Sequence, residues 1–453
     1  MPPLPYCILT SILSLKNVLK YLKIYSITLV LLFIFYNSLF AEEILTWQEC
    51  IKEAAKNHPD LIAAQEEVKQ SEASKKITAS TLYPQINANL SASTSRSDSG
   101  SSSDSSGPGG SSGSSSTSDS YSYGLTGTQL IFDGTKTIQN VKAASENINA
   151  SKQNFKYTSV TVRYKLRSAY VNLLKAQESL KITQEIYDIR RSNLELITLR
   201  YESGLEHKGA LLTAEADLAD AQYGVNQAKR ALEVAQRDLI KEIGRARFTP
   251  VAVKGDFKVK DTVLNKPDFE VIAQKNPSLQ QLIAQKNAAQ FSLNSAYANF
   301  SPTLSGSAGA NKSGSHWEPK GDNWNLGLTL SMPIFEGGLR LAEVSQVKAY
   351  LNQLKENERS TKDGIVLTLE QNWTLLQDAL DNVKVQYKSL IATEERSKIA
   401  QAEYSIGFIT FDNWTIIEDN LVQQKSAYLD AQANALLAEA GWIQAKGETL
   451  EYE

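Results

Sequence analysis

The sequence has few of the side chains that bind metals or form disulfides. Only two cysteines, Cys7 and Cys50, occur in 453 residues, which excludes a disulfide framework and a zinc site built from cysteines. The three histidines, His58, His207 and His316, are far apart and have no metal-ligand spacing. We therefore predict no metal site and no cofactor.

Strong net charge and catalytic motifs are also missing. The chain has 47 Lys and Arg against 50 Asp and Glu, a net charge of −3, so no basic surface for nucleic acid is indicated. The mean hydropathy of −0.30 excludes a bundle of membrane helices. No acid, base and nucleophile constellation is visible, so we do not predict an enzyme.

The first 41 residues have the pattern of a secretory signal peptide. Three lysines precede an apolar run at 24–36, which at 13 residues is too short to cross a bilayer comfortably. A small residue, Ala41, precedes two glutamates, as at a cleavage site. We predict an exported protein with signal peptide 1–41; a retained N-terminal anchor is the alternative.

The rest of the chain contains an internal repeat. Five landmarks recur in order: Pro59 with Pro277 and Pro84 with Pro302 at an offset of 218, then Gly134 with Gly337, Gly204 with Gly407 and Gly244 with Gly447 at 203. The change of offset falls where the first copy has a serine- and glycine-rich tract. We predict a first repeat at 42–244, a linker at 245–270 and a second repeat at 271–453.

Each repeat contains two segments in which apolar and small polar residues alternate, as in strands with one apolar face. The predicted strands, each of about ten residues, lie near 86–95, 121–131, 304–312 and 324–332. Between the first two, 17 of the 30 residues from Ser91 to Ser120 are serine. Because such a composition cannot form a core, we predict a disordered extracellular loop at 96–119.

Long helices follow the strands in both repeats. Apolar residues spaced three and four apart run without proline over 135–203, a helix of about 100 Å, and the second repeat has the same pattern. Gly204 and Gly407 supply left-handed stops, after which shorter, alanine-rich helices return. Helices of this kind must pack side by side as in coiled coils.

Four strands of this length suit a membrane-spanning barrel. An open four-stranded sheet would leave polar edges in lipid, so the strands must close with those of other copies. Aromatic residues are expected at both membrane interfaces; the outer candidates are Tyr121, Tyr123 and Trp324, and the inner ones are Tyr83, Phe132, Phe300 and Phe335. The wall of a soluble β-sandwich is the alternative.

These motifs together resemble the TolC-like outer-membrane efflux proteins. The similar segments are the start at 45–59, the prolines before two strands, the second-copy sequence P-I-F-E-G-G at 333–338 and Tyr-x-x-Gly at both helix turns. The resemblance implies a mainly α fold with transmembrane β: a homotrimer in which four strands per chain complete a 12-stranded outer-membrane barrel, joined to a long coiled-coil helical barrel in the periplasm.

The resemblance also implies the role of an exit duct in a tripartite efflux pump or type I secretion system. Its partners would be a periplasmic adaptor (membrane fusion) protein, an inner-membrane RND or ABC-type transporter and outer-membrane lipid. A periplasmic coiled-coil adaptor or scaffold protein is the alternative function.

The two helix turns, 201–210 and 404–413, are the candidate periplasmic end. The family often carries acidic residues six positions after the turn glycines, but this chain has Ala210 and Asn413 there, and Ile409 replaces an arginine of some members. The gate candidates are Tyr404, Asp412 and Asn413, and the candidate turn and adaptor contacts are Gly204, Gly407, Phe408 and Phe411. The alternative for the aromatic residues is a hydrophobic staple that holds the hairpin together.

Overall fold

The computed structural model describes residues 43–98, 115–257 and 266–450. The predicted signal peptide and parts of the predicted loop and linker therefore lie outside the described residues. In chain order, the elements are β1 (Glu43–Leu45), α1 (Trp47–Asn57), α2 (Pro59–Ser80), β2 (Gln85–Asp98), β3 (Ser115–Phe132), α3 (Lys136–Glu202), α4 (Lys208–Ile243), β4 (Val251–Val253), α5 (Phe269–Lys275), α6 (Pro277–Ala298), β5 (Thr303–Gly314), β6 (Gly321–Ser331), α7 (Leu339–Ser405) and α8 (Phe411–Lys446).

Corresponding helices in the two halves have equal lengths. Helices α3 and α7 both have 67 residues, α4 and α8 both have 36, and α2 and α6 both have 22. Helix α3 agrees within a residue with the predicted range 135–203. Helices α7 and α8 each begin 203 residues after α3 and α4, the same offset that separates the repeated glycines.

Helices α2 and α6 begin with the same combination of a proline and a capping side chain. Each helix begins at a proline, Pro59 or Pro277, whose missing N–H is not needed in the first turn. The preceding side chain caps the helix: His58 Nδ1 accepts from Asp60 N–H, and Asn276 Oδ1 accepts from Ser278 N–H.

Four strands form one antiparallel sheet in the order β2-β3-β5-β6. The register brings the alternating apolar residues of all four strands onto one face, with Ala88 opposite Leu125, Leu125 opposite Ala310, and Ala310 opposite Trp324. A bulge between Leu130 and Phe132 shifts the register of β3, and this shift returns Phe132 to the apolar face, opposite Leu304.

The first hairpin is longer than predicted. Strands β2 and β3 have 14 and 18 residues rather than about ten, so residues 96–98 and 115–119 of the predicted loop are strand. The prediction of disorder there was wrong because strand pairing needs no apolar core. Backbone hydrogen bonds join the strands, and serine hydroxyls pair across them at Ser95–Ser118 (2.9 Å) and Ser97–Ser116 (3.2 Å).

The chain divides into two compact units, and each unit includes segments of both halves of the sequence. Unit 1 comprises residues 1–54, 166–258 and 382–436, and unit 2 comprises residues 55–165, 259–381 and 437–453. In unit 1, β1 pairs in parallel with β4, and Arg245 donates hydrogen bonds of 2.7–3.0 Å to Glu43 and Glu53. In unit 2, Trp442 packs edge-on against Phe269 and Trp373. None of the helices in the described part of the chain has the length and apolarity that crossing a membrane requires.

Candidate functional site

The apolar face of the sheet lies open in unit 2. Leu90, Trp324, Leu326 and Leu328 are 71–80% exposed, although burial of each such side chain would contribute about 1.5–3 kcal/mol. The opposite face carries serine, threonine, asparagine and glycine, for example Asn89 opposite Gly124 and Ser91 opposite Ser122. A continuous exposed apolar face of this kind indicates an apolar environment or a partner.

The predicted aromatic residues lie near the two ends of the part of this sheet in which all four strands pair. Tyr121 pairs with Gly314, the last residue of β5, and its ring lies edge-on to Trp317, with centroids 6.3 Å apart. At the other end Phe132 pairs with Leu304, while Tyr83, Phe300 and Phe335 lie just outside the strands. Tyr123 and Phe132 are nine positions apart, about 30 Å along a strand. Because the strands of membrane barrels are tilted by about 35–45°, this length corresponds closely to the height of their apolar band, about 25 Å.

The two helix turns of unit 1 form the second candidate region. Gly204 and Gly407 have φ angles of 72° and 81°, a left-handed conformation that glycine adopts without strain. The next residue in each turn is apolar and exposed, Leu205 at 69% and Phe408 at 78%. Asp412 and Asn413 are also exposed. These side chains are accessible at the tips of the hairpins.

The other aromatic residues of the second turn are buried. We call the cluster of Ile197, Ala210, Ala214, Ala400, Tyr404, Phe411 and Trp414 the turn cluster. Tyr404 stacks on Trp414 with centroids 4.6 Å apart, and Phe411 lies edge-on to Trp414. Tyr404 is 1% and Phe411 5% exposed. The expectations that Phe411 offers its ring to an adaptor and that Tyr404 narrows a pore were therefore wrong, because their rings fill the core of the hairpins.

A hydrogen bond across the turn cluster joins the two halves of the sequence. The Tyr404 hydroxyl donates to Glu206 Oε1 at 2.7 Å. The Arg200 guanidinium lies 4.8 Å from the centroid of the Tyr404 ring, and its Nε is 3.7 Å from the same carboxylate oxygen. Burial raises the pKa of Tyr404, and the hydrogen bond to Glu206 and the charge of Glu206 raise it further, against the opposing charge of Arg200.

A buried arginine, Arg190, joins three helices next to this cluster. Its guanidinium pairs with Asp419 of α8 and lies 3.6 Å from Asp217 of α4. Burial raises the pKa of Asp217 against the opposing effect of Arg190. On the neighbouring helix pair, the hydroxyl of buried Ser397 in α7 donates to the carboxylate of Glu418 in α8.

Sequence reasoning missed several of these roles. We singled out neither Glu206 nor Arg190, because their partners are 198 and 229 positions away in sequence. The sequence could have indicated His207, which directly precedes α4: its Nδ1 accepts a hydrogen bond from Ala210 N–H at 3.0 Å and caps that helix. Within the described residues, no group of three or more His, Cys, Asp or Glu could hold a metal ion.

The comparisons with known proteins agree on one family. The family model for "Outer membrane efflux protein" matches residues 50–245 and 270–448. The outer membrane efflux protein BepC of Brucella suis is 20% identical over 72% of this chain and 73% of its own length. The outer membrane protein TolC of Escherichia coli is 21% identical over 60% and 58%. The alkaline protease secretion protein AprF of Pseudomonas aeruginosa is 23% identical over 46% and 44%.

Solved structures share the fold at low sequence identity. CusC superposes with a TM-score of 0.76 at 19% identity, covering 88% of this chain and 91% of CusC. The Campylobacter jejuni outer membrane channel CmeC gives a TM-score of 0.74 at 19% identity, with 89% and 86% covered. The chain belongs to the outer membrane efflux protein family, a family of channels rather than enzymes, located in the outer membrane of Gram-negative bacteria and extending into the periplasm.

Proposed function

We propose that this protein is the exit duct of a tripartite efflux pump or a type I secretion system. Its partners would be a periplasmic adaptor protein and an inner-membrane transporter of the RND or ABC type. One relative is named as an efflux protein and another for protease secretion, which supports an efflux pump and a secretion system respectively. The observation that carries the proposal is the four-stranded sheet with one exposed apolar face.

The edges of the sheet support closure with strands of other copies. Among the described residues, strands β2 and β6 each pair with one other strand, and an unpaired edge in lipid costs several kcal/mol per unsatisfied backbone group. Pairing β6 of one copy with β2 of the next keeps the antiparallel order and removes both edges. Three copies with four strands each give the twelve strands of the proposed barrel.

The helix turns supply the proposed contact with the adaptor. Phe408 and Leu205 follow the two turn glycines and expose their side chains, which is costly in water unless a partner covers them. Gly204 and Gly407 shape the turns, and exposed Asp412 and Asn413 are proposed to narrow the periplasmic opening. A periplasmic adaptor or scaffold is the weaker candidate, since it gives no role to the exposed sheet.

The difference in burial between Phe408 and Phe411 allows a direct test. Phe408→Ala should abolish export of a pump substrate in cells while the amount and melting temperature of the oligomer stay unchanged. Phe411→Ala removes a buried ring and should instead destabilise the protein by about 3–5 kcal/mol. Normal export with Phe408→Ala would contradict the docking role.

Asp412 tests the proposed gate separately. Asp412→Ala should raise single-channel conductance or antibiotic entry, because it removes an exposed charge from the proposed narrow end. Unchanged conductance would mean that Asp412 does not narrow the opening. It would not contradict the proposed adaptor contact.

A further inference from the structure

A groove of about 760 Å³ lies on the apolar face of the sheet, and all four strands line it. Its shape follows from a mixture of side-chain sizes. Ala88 and Ala310 are small, whereas the apolar side chains around them are large: Leu90, Tyr123, Leu125 and Trp324. Most of the surface of the groove is therefore apolar, as the site of a hydrocarbon chain would be.

One end of the groove carries a pair of opposite charges. Lys312 and Asp322 lie opposite each other on β5 and β6, and Lys312 Nζ is 3.3 Å from Asp322 Oδ1. Both residues line the groove, and both side chains are exposed. The groove thus combines an apolar floor with a charged end, which suits an amphipathic ligand.

The charged end is the one remote from the helices. Helices α2, α3, α6 and α7 all join the sheet at its other end, where Phe132 lies. Because the helices of this family extend into the periplasm, the row of Lys312 and Asp322 lies at the outer surface of the membrane in the proposed barrel. An apolar groove below this row would face the hydrocarbon of the outer leaflet.

Beyond the ion pair, the same face of the sheet becomes aromatic and polar. Tyr121 packs edge-on against Trp317, which is 65% exposed, and the Thr94 hydroxyl donates to the Asp119 carboxylate at 2.8 Å. Aromatic rings offer a flat apolar surface to the C–H faces of a sugar ring. Hydroxyl and carboxylate groups hydrogen-bond to sugar hydroxyls, so this surface suits a carbohydrate.

We propose that the groove binds a phosphorylated glycolipid of the outer leaflet. An acyl chain lies over Ala88 and Ala310, a headgroup phosphate accepts a charge-assisted hydrogen bond from Lys312, and a sugar ring lies beside Tyr121 and Trp317. This inference rests on the proposed barrel, because the barrel is what brings this face into contact with lipid.

The position of the groove favours a lipid over a second copy of the chain. The proposed closure joins copies through the edges of β2 and β6, whereas the groove lies on the face of the sheet and includes Tyr123 and Ala310 of the two inner strands. A phospholipid would fill the groove and meet Lys312, but it would leave Tyr121 and Trp317 without a sugar to contact.

Binding of purified lipid A, an acylated and phosphorylated glucosamine disaccharide, tests the charged end. Native mass spectrometry of the oligomer in mild detergent measures the lipid that stays bound. Lys312→Gln should weaken lipid A binding about tenfold, as loss of a hydrogen bond between charged groups does. Dephosphorylated lipid A should bind the unsubstituted protein equally weakly. Lys320→Gln is the matched control, since Lys320 is an exposed lysine of the turn between β5 and β6.

A second pair of variants tests the apolar floor. Ala310→Leu fills the groove and should weaken the binding of both lipid forms, while the face stays apolar and the oligomer assembles. Ala308→Leu is the same change two positions earlier on the same face, opposite Leu326, and should bind lipid A as the unsubstituted protein does. Equal losses in the two variants would overturn the groove as the binding site.

The remaining outcomes separate this site from the proposed function. Undiminished lipid A binding by Lys312→Gln would overturn the phosphate contact, and equally tight binding of phosphatidylglycerol would reject a glycolipid as the occupant. A trimer that retains no lipid A would overturn the site and leave the barrel standing. A monomer in mild detergent would overturn the barrel and the site together.

Discussion

At the scale of single residues, Tyr404 has the most unusual environment in the turns. It is almost fully buried, stacks on Trp414, lies beside the Arg200 guanidinium and donates its hydroxyl hydrogen to Glu206. Because Glu206 precedes the first return helix and Tyr404 belongs to the second long helix, this one bond ties the two hairpins together. It also satisfies a hydroxyl that would be costly to bury alone.

We predict that Tyr404→Phe lowers the free energy of unfolding by about 1.5–3 kcal/mol, the usual contribution of a hydrogen bond to a charged group. Urea unfolding at neutral pH measures this change. Tyr387→Phe is the control, because Tyr387 is half exposed and packs only its ring against Tyr428. An equal loss in both variants would show that the Glu206 bond contributes nothing specific.

The pH dependence of the same variant gives a second readout. The folded protein raises the pKa of Tyr404 above its ordinary value of 10.0. The unfolded chain therefore loses this proton first, and the stabilisation is complete below about pH 10 and declines as the pH rises above it. Between pH 9 and 12, Tyr404→Phe should lose less stability than the unsubstituted protein. Parallel curves would contradict the burial argument.

At the scale of elements, the sheet divides into a lipid-facing and an interior face if the proposed barrel is correct. Leu328 and Thr329 are neighbours on β6 that point to opposite faces, opposite Gly306 and Ser305. We predict that Leu328→Arg destabilises the barrel by about 2–4 kcal/mol, as a charge near the bilayer centre does. Thr329→Arg should assemble normally. The fraction of heat-resistant oligomer in outer membranes measures both, and equal effects would contradict the assignment of faces.

The packing of three helices of unit 1 depends on the ion pairs of Arg190. Arg190→Gln leaves Asp217 and Asp419 without their cation, so the packing of α3, α4 and α8 should weaken by about 1–3 kcal/mol. Arg191→Gln is the matched control, since Arg191 is exposed and pairs only with Glu195 at the surface, where such pairs contribute about 0–1 kcal/mol. Hydrogen exchange of the α3–α4 hairpin should increase in the first variant alone.

The sequence predicted the helices better than the strand ends and the side-chain partners. Spacing and the glycine stops located α3 within a residue, because helix periodicity and termination are local. The serine-rich ends of β2 and β3 were not predicted, because strands joined by cross-strand hydroxyl pairs lack the alternating apolar residues by which a strand is recognised in a sequence. Phe411 and Phe408 look alike in sequence, and only tertiary packing separates the buried ring from the exposed one.

At the scale of the whole molecule, the proposed barrel contains three copies, the number that the resemblance to the family implies. Mass measurement of the protein in mild detergent should give three chains, and chemical cross-linking should end at the trimer. The physical reason for a closed ring is the pair of free edges on β2 and β6, which a ring of sheets removes completely. A stable monomer or dimer would contradict the barrel.

The serine-rich tract should be dispensable for that assembly. Replacing residues 99–114 by an Asn-Gly turn keeps the pairing of Asp98 with Ser115 and suits a two-residue hairpin loop. We expect unchanged trimer yield and export, measured by denaturing gels without heating and by drug resistance. A larger deletion that removes Tyr121 is the informative contrast, because it shortens the part of β3 that pairs with β5.

The equal lengths of α3 and α7 restrict how this protein can change during evolution. One inserted residue turns everything after it by about 100° around the helix axis, which would take Arg190 and Ile197 away from their contacts with the second hairpin. Insertions and deletions in the long helices should therefore be inherited in pairs, one per repeat. They should come in steps of about seven residues, which nearly restore the same face. The hairpin loops are free of this restriction, so related sequences should differ in length there first.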